Sequence, residues 1–265
     1  MNTRAAELRD RLVATGEVQL LRPPALIAFA KNDEADALLN DLKDHPHAFL
    51  FGCLVDRGVP AEKAWMVPSL IRNRLGSFEI NDLAAVGEDR WRRLTRDPEP
   101  AHRYPEKMAV VLSRATERIV SHFEGDASRI WKGRPTSATL VRRLLEFHGA
   151  GPKIATMAGN ILVRDFKVVL SDTRFIDISA DVHVRRVMAR LGFVEQGSGP
   201  NVVVYAARDL NPDYPGIFDG QVWRIGHDLC RPKTPMCSNC ELADLCSHAC
   251  RARGDDSGPP TPWMP

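Results

Sequence analysis

The sequence predicts an all-α protein, and three observations carry that expectation. Leu140, Leu144 and Phe147 fall at i, i+4 and i+7, and Ile154, Met157, Ala158, Ile161 and Leu162 repeat the period, so two helices each bury one apolar face. Between them stand Gly149, Gly151 and Pro152. Glycine supplies the positive φ of a tight reversal, and proline suits the first turn of a new helix, so the stretch reads as helix, hairpin, helix. Most other segments open with the same punctuation, a proline or a capping side chain ahead of an apolar-periodic run.

The elements follow in order. Residues 4–14 read as a short helix, and 18–29 as extended or irregular because Pro23-Pro24 interrupts them. Asn32 caps a helix over 33–42 with an acidic first turn. Pro46 opens a helix containing Phe49, Leu50, Phe51, Cys53, Leu54 and Val55. Apolar nearly all round, it belongs at the centre of a domain, and Arg57-Gly58 ends it. Pro60 starts the next helix, which Pro68 bends or breaks; short helices follow at 80–86 and 89–94, then a loop over 95–104. Pro105–His122 is a long helix with Met108, Val111, Leu112, Ala115 and Ile119 on one face, and Ser137 caps the helix that enters the hairpin. Beyond the hairpin, 168–178 is less regular. Asp181 precedes a helix carrying Val184, Val187, Met188 and Leu191, which Gly192 closes. Another helix covers about 202–210, and the proline-rich tail 251–265 is expected to be disordered.

A chain of 265 residues can form one large or two small domains. Thirty-six basic against thirty-four acidic residues leave a net charge of +2, so any nucleic-acid surface is a local patch. No apolar run approaches the length of a membrane span, and the N-terminus lacks a signal-peptide core. Five of the six cysteines crowd into 230–250, which suits a metal site in a reducing compartment; a cytoplasmic location is expected.

Two stretches carry chemistry. The glycines of the hairpin uncover backbone N–H groups at the positive end of the following helix, a setting for a phosphate. A tight helix connection with no ligand explains those glycines equally well. Lys153 shifts the balance: a lysine in the first helical turn opposes the dipole, which favours its neutral, nucleophilic form. The second stretch is Cys230-x6-Cys237-x2-Cys240-x5-Cys246. Four thiolates so close can converge on one centre, zinc or iron–sulfur, with Cys250 as a spare ligand. Cys53, alone on an apolar helix, reads as a core residue.

Together these features resemble the endonuclease III branch of the helix-hairpin-helix DNA glycosylases. Phe147-His148-Gly149-Ala150-Gly151-Pro152-Lys153 matches the family's Leu-Pro-Gly-Val-Gly-Arg-Lys hairpin, and Ala180-Asp181-Val182-His183 its Val-Asp-Thr-His segment. The cysteine spacing is the family's own, as are Gly226, Pro235 and Asp244-Leu245 around it. The resemblance is specific from about residue 137 to 246. It implies two helical domains with a DNA-binding cleft between them: a barrel over 46–166 ending in the hairpin, and a second domain from 1–45 and 167–250 that holds the cluster. It implies Lys153 and Asp181 across the cleft mouth, a 4Fe-4S cluster on Cys230, Cys237, Cys240 and Cys246 with zinc as the alternative, and a monovalent cation at the hairpin. The implied partner is double-stranded DNA containing a damaged base or an abasic site, met by a monomer at the nucleoid.

The resemblance also assigns roles. Lys153 would attack C1′ of the damaged nucleotide, form a Schiff base and nick the strand by β-elimination; its simpler role is a phosphate contact. Asp181 would stabilise charge on the sugar or accept the lysine's proton, and it also suits a helix cap. Asp172 and Asp177 are rival carboxylates. His183 reads as structural, and Arg185, Arg186 and Arg190 as either a phosphate-binding or a solvated face. Gly149, Ala150, Gly151, Arg231 and Lys233 would hold the DNA backbone. Arg57 stands where the family often places a glutamine that fills the vacated base stack. No glutamate lies in 49–55, which argues against adenine excision. The expected activity is a bifunctional glycosylase/AP lyase of base excision repair, with oxidised pyrimidines as the default substrate. Mismatched uracil or thymine, an alkylated base, an oxidised purine, or a catalytically silent DNA-binding module are the alternatives.

Overall fold

The computed structural model describes residues 3–252, without the side chains of 250–252. The tail from 253 onward and the Cys250 side chain therefore lie outside the described residues. The expectation of an all-α fold holds: the described residues contain helices and turns and no strand.

The organising element is α3 (Pro46–Val55), every residue of which is buried. Phe49, Leu50 and Leu54 are about 1 % exposed and Phe51 not at all. At roughly 1.5–3 kcal/mol for each fully buried side chain, these four supply a large share of the local driving force. Packed on α3 are α2 (Asp33–Asn40), α4 (Ala61–Trp65), α5 (Val67–Leu75), α8 (Pro105–Phe123) and α10 (Pro152–Arg164). Outside this shell, α6 (Ile80–Ala84) and α7 (Glu88–Arg96) lie against α8, with the Trp91 ring buried. Then α9 (Ser137–Leu145) joins α10 through the hairpin.

The chain then builds α11 (Val182–Leu191), α12 (Pro200–Leu210), α13 (Asp219–Arg224) and α14 (Ser247–Ala252), with a π-helical turn over Ile225–Leu229. The N-terminal helix α1 (Thr3–Leu21) returns to this half of the molecule. Gln221 donates to the Leu12 carbonyl, Arg4 Nε to that of Leu245 at 2.6 Å, and Arg11 forks onto Asp244 at 2.9 and 3.0 Å.

Several boundaries differ from expectation for local reasons. α1 runs on to Leu21, because Pro23 is the first residue that cannot continue it. The break near Pro68 falls at Met66, leaving Pro68 in the first turn of α5, where a missing N–H costs nothing. The cap of α9 is Thr136, whose hydroxyl accepts from Thr139 N; the hydroxyl of Ser137 is spent on Asp172. Asn32 does cap α2, accepting from Ala35 N at 3.0 Å.

Candidate active site

The hairpin turns where its glycine requires it. Phe147, 2 % exposed and stacked on Phe123, anchors the turn, and Ala150 N donates to Phe147 O at 2.9 Å. Gly149 follows at φ +83°, a region L side chains rarely enter. A Cβ there would also meet Val111 at 3.2 Å and the Arg57 guanidinium at 3.3 Å. Gly151 and Pro152 then start α10.

Lys153, at the second position of α10, is 37 % exposed, so its amine can meet a solute. Its Nζ lies 2.8 Å from Oδ2 of Asp56, whose side chain is only 11 % exposed, and 3.4 Å from the Asp56 carbonyl. Asp56 is the C-cap of α3. A carboxylate at a helix C-terminus and an ammonium at a helix N-terminus both oppose the local dipole. The two misplaced charges offset one another, which accounts for how each is tolerated where it stands.

Arg57 follows directly. Its Nη2 donates to Leu54 O, its buried Nε has no partner, and the guanidinium lies along Gly149. Burial lowers the Arg57 pKa, against the pull of Asp56. The side chain therefore rests on the hairpin.

Asp181 caps α11, its Oδ1 accepting from His183 N and Val184 N at 2.8 Å each. Both cap bonds use one oxygen, and Oδ2 takes no part in them. The segment that presents Asp181 is pinned from behind. Buried Asp219 accepts from Ser179 N at 2.7 Å and from its hydroxyl, and Asp181 N donates to Ser179 O at 2.7 Å. Burial raises the Asp219 carboxyl, with Arg164 and Ser179 opposing. The rival carboxylates are committed elsewhere: Asp172 to Ser137, and Asp177 to a fork from Arg208 at 2.7 and 2.9 Å.

Neither expectation for the α11 arginines holds. Arg186 donates to Cys230 O at 2.7 Å and Gly226 O at 2.6 Å, and Arg190 to Arg231 O and Pro232 O at 2.8 Å each. They fasten the cysteine loop to α11, since neighbouring carbonyls offer them fixed acceptors in place of water. Arg185 bonds Ser198 O at 3.0 Å. His183 is structural in its contacts, packed among Trp223, His227 and the Gly226 backbone.

Cys230, Cys237, Cys240 and Cys246 are all free thiols. Arg190 Nη1 stands 3.2 Å from the Cys230 sulfur, and Cys246 Sγ lies 3.5 Å from Arg190 O. Burial raises the thiols of Cys240 and Cys246, and each also feels Cys230. In donor chemistry the four suit an iron–sulfur cluster or zinc. In geometry they are not drawn together, for among the described residues no three His, Cys, Asp or Glu side chains form a metal-holding group. Between the first two cysteines, Arg231 and Lys233 are exposed.

Sequence reasoning missed Asp56 as the lysine's partner, Asp219 as the anchor of Ser179, and the arginine straps. Asp56 left one signal, an acid placed immediately after an apolar helix against its dipole.

This architecture resembles the folds of solved endonuclease III and DNA glycosylase structures. The chain superposes on an endonuclease III in a non-covalent complex with DNA with a TM-score of 0.62 and 17% identity, covering 96% of this chain and 100% of that one. A thermostable thymine-DNA glycosylase gives 0.60 and 14%, covering 92% and 97%. In sequence, the chain is 30% identical to Endonuclease III of Thermotoga maritima over 107 residues. That stretch is 40% of this chain and 45% of that protein, so it spans less than half of the relative's length. No protein-family model matches the chain.

Proposed function

We propose that the protein is a bifunctional DNA glycosylase and AP lyase of base excision repair. The observation that carries this is the half-exposed Lys153 amine, set beside the glycine hairpin in the first turn of α10. There Gly149, Ala150 and Gly151 would bind the DNA backbone, with a monovalent cation at the turn, while the amine attacks C1′ and forms the Schiff base. Asp181, with Oδ2 outside its cap, would face positive charge developing on the sugar. Arg231 and Lys233 would add phosphate contacts, and Arg57 would leave the hairpin to fill the vacated stack.

Cys230, Cys237, Cys240 and Cys246 would hold a 4Fe-4S cluster in preference to zinc. The group would serve structurally, setting the Arg231–Met236 loop against DNA. The barrel would span 46–166 with α2 packed against it, and the rest of 1–45 with 167–250 would form the second domain, working as a monomer at the nucleoid. No helix of the described residues is long and apolar enough to cross a membrane.

Oxidised pyrimidines are the first substrates to try. Arg57, standing where the family often has glutamine, favours widening the panel to mismatched thymine or uracil, alkylated bases and oxidised purines. The test is borohydride trapping on duplexes bearing each lesion, with wild type and Lys153→Ala. Wild type should give a covalent adduct on at least one lesion and on an abasic site, and Lys153→Ala none. Absence of adduct and cleavage on every duplex would leave a DNA-binding module.

A further inference from the structure

We propose that Asp56 is the proton acceptor for Lys153, so that two carboxylates divide the work: Asp56 serves the amine and Asp181 the sugar. The inference rests on the lysine reading above and deepens it. Three observations support it. Asp56 Oδ2 is 2.8 Å from Nζ, within the reach required of a general base. The Asp56 side chain is nearly buried while that of Lys153 is 37 % exposed, so the lysine is the more accessible member of the pair. Both charges oppose a helix dipole, an arrangement that folding alone does not favour.

Among the described residues, Asp56 is the one carboxylate paired with the amine, and the groups flanking the pair are otherwise engaged. From α3, Cys53 is fully buried and its thiol is pushed well up by burial, while Arg57 is a cation. From the loop before α8, His102 has Nε2 on the Arg57 carbonyl at 3.0 Å and Nδ1 on Tyr104 N at 3.1 Å. Asp181 accepts two bonds from its own helix on Oδ1, and its other oxygen is the one assigned above to the sugar.

The step balances on an abasic-site aldehyde. The Lys153 ammonium passes one proton to Asp56, and the freed lone pair forms the N–C1′ bond as the carbonyl π pair moves to oxygen. That oxygen takes a proton from solvent to give the carbinolamine. Asp56 returns its proton to the departing hydroxyl, the C1′–O bond breaks, and water leaves. Before that departure the nitrogen, left with two protons by the attack, releases one to solvent, so its lone pair forms the C1′=N bond as water leaves and the product is the iminium. Overall, ammonium and aldehyde become iminium and water, with Asp56 ionised again.

The experiment is single-turnover borohydride trapping on an abasic-site duplex, with Asp56→Asn, Asp56→Ala and Lys153→Ala. Duplex binding and thermal melting are measured on the same samples. Asp56→Asn still accepts a hydrogen bond from the ammonium but is a far weaker base; its trapping rate should fall about a hundredfold with duplex affinity retained. Asp56→Ala opens a space beside the amine, and added formate should recover a large part of its rate. Formate should do nothing for Lys153→Ala. Trapping by Asp56→Asn at the wild-type rate would overturn the proposal. So would a folded Asp56→Ala that is slow and insensitive to formate, which would make the carboxylate a packing element only. Undiminished trapping by Lys153→Ala would instead remove the lysine reading itself, an outcome separate from either Asp56 result.

Discussion

The Arg190 guanidinium reaches two acceptors of Cys230, the carbonyl oxygen at 3.3 Å and the sulfur at 3.2 Å. The same side chain continues to Arg231 and Pro232, so one residue of α11 defines the start of the cysteine loop. Arg190→Ala should lose about 2 kcal/mol in chemical denaturation, the scale of hydrogen bonds to a charged group. Residues 230–236 should also become an early site of limited proteolysis. Lysine should not restore either property, because a single ammonium cannot span carbonyls that a planar fork reaches together. Melting and proteolysis identical to wild type would show that the loop holds itself.

Asp181 caps α11 and is proposed to face the sugar, and the choice of substitution separates the two roles. Asparagine caps a helix about as well as aspartate, so Asp181→Asn should melt within about 0.5 kcal/mol of wild type, whereas Asp181→Ala should lose about 1 kcal/mol. Turnover should fall at least about a hundredfold in both, since neither supplies a charge to the sugar. If Asp181→Asn turns over normally, the position is a cap and nothing more.

Gly226 sits against the N-terminal turn of α11. A Cβ there would stand 2.9 Å from both the Cβ and the carbonyl oxygen of His183. Backbone cannot swing aside as a side-chain tip can, so Gly226→Ala should cost about 1–3 kcal/mol, read by urea titration. A neutral result would mean that α11 and the π-helical turn slide past one another freely.

His47 gives the molecule an acid-sensitive core. Its ring is 3 % exposed, Nε2–H donates to Phe78 O at 2.7 Å, and burial pushes its pKa down to about 4. The folded value lies below the ordinary 6.5, so the unfolded chain binds the extra proton between the two. This contribution to stability is complete above pH 6.5 and is lost as pH falls toward 4. At 1.36 kcal/mol per unit it amounts to about 3 kcal/mol. Denaturation of wild type at pH 7 and pH 4.5 should differ more than that of His47→Gln, which keeps a donor for Phe78 O. Equal differences would remove His47 as the cause.

What the sequence made legible was local. The period of Leu140 and Leu144, the cap at Asn32, and the Gly149–Pro152 turn all depend on neighbours within one helical turn and appear as expected, whereas Phe147 falls in the turn beyond the end of α9. Asp181 was legible as a cap for the same reason. Lys153 and Asp56 are 97 residues apart, and Arg186 lies 44 residues from Cys230, so their pairing depends on how helices pack. Arg186 and Arg190 misled because arginines on an amphipathic helix look alike in sequence whether they meet phosphate, water or a neighbouring carbonyl. Only the tertiary fold distinguishes these.

The seating of α1 has a consequence for how the chain is made. Arg4 and the Leu245 carbonyl it binds are 241 residues apart, so this contact can form only after nearly all of the described residues have been synthesised. The layers around α3 can close once α10 has left the ribosome. Through that interval α1 carries its apolar face without a partner, and Leu8 and Leu12, each 1 % exposed when seated, lie open to solvent and to chaperones. Arrival of the Pro215–Phe218 turn and α13, on which α1 packs, is then the event that ends that exposure.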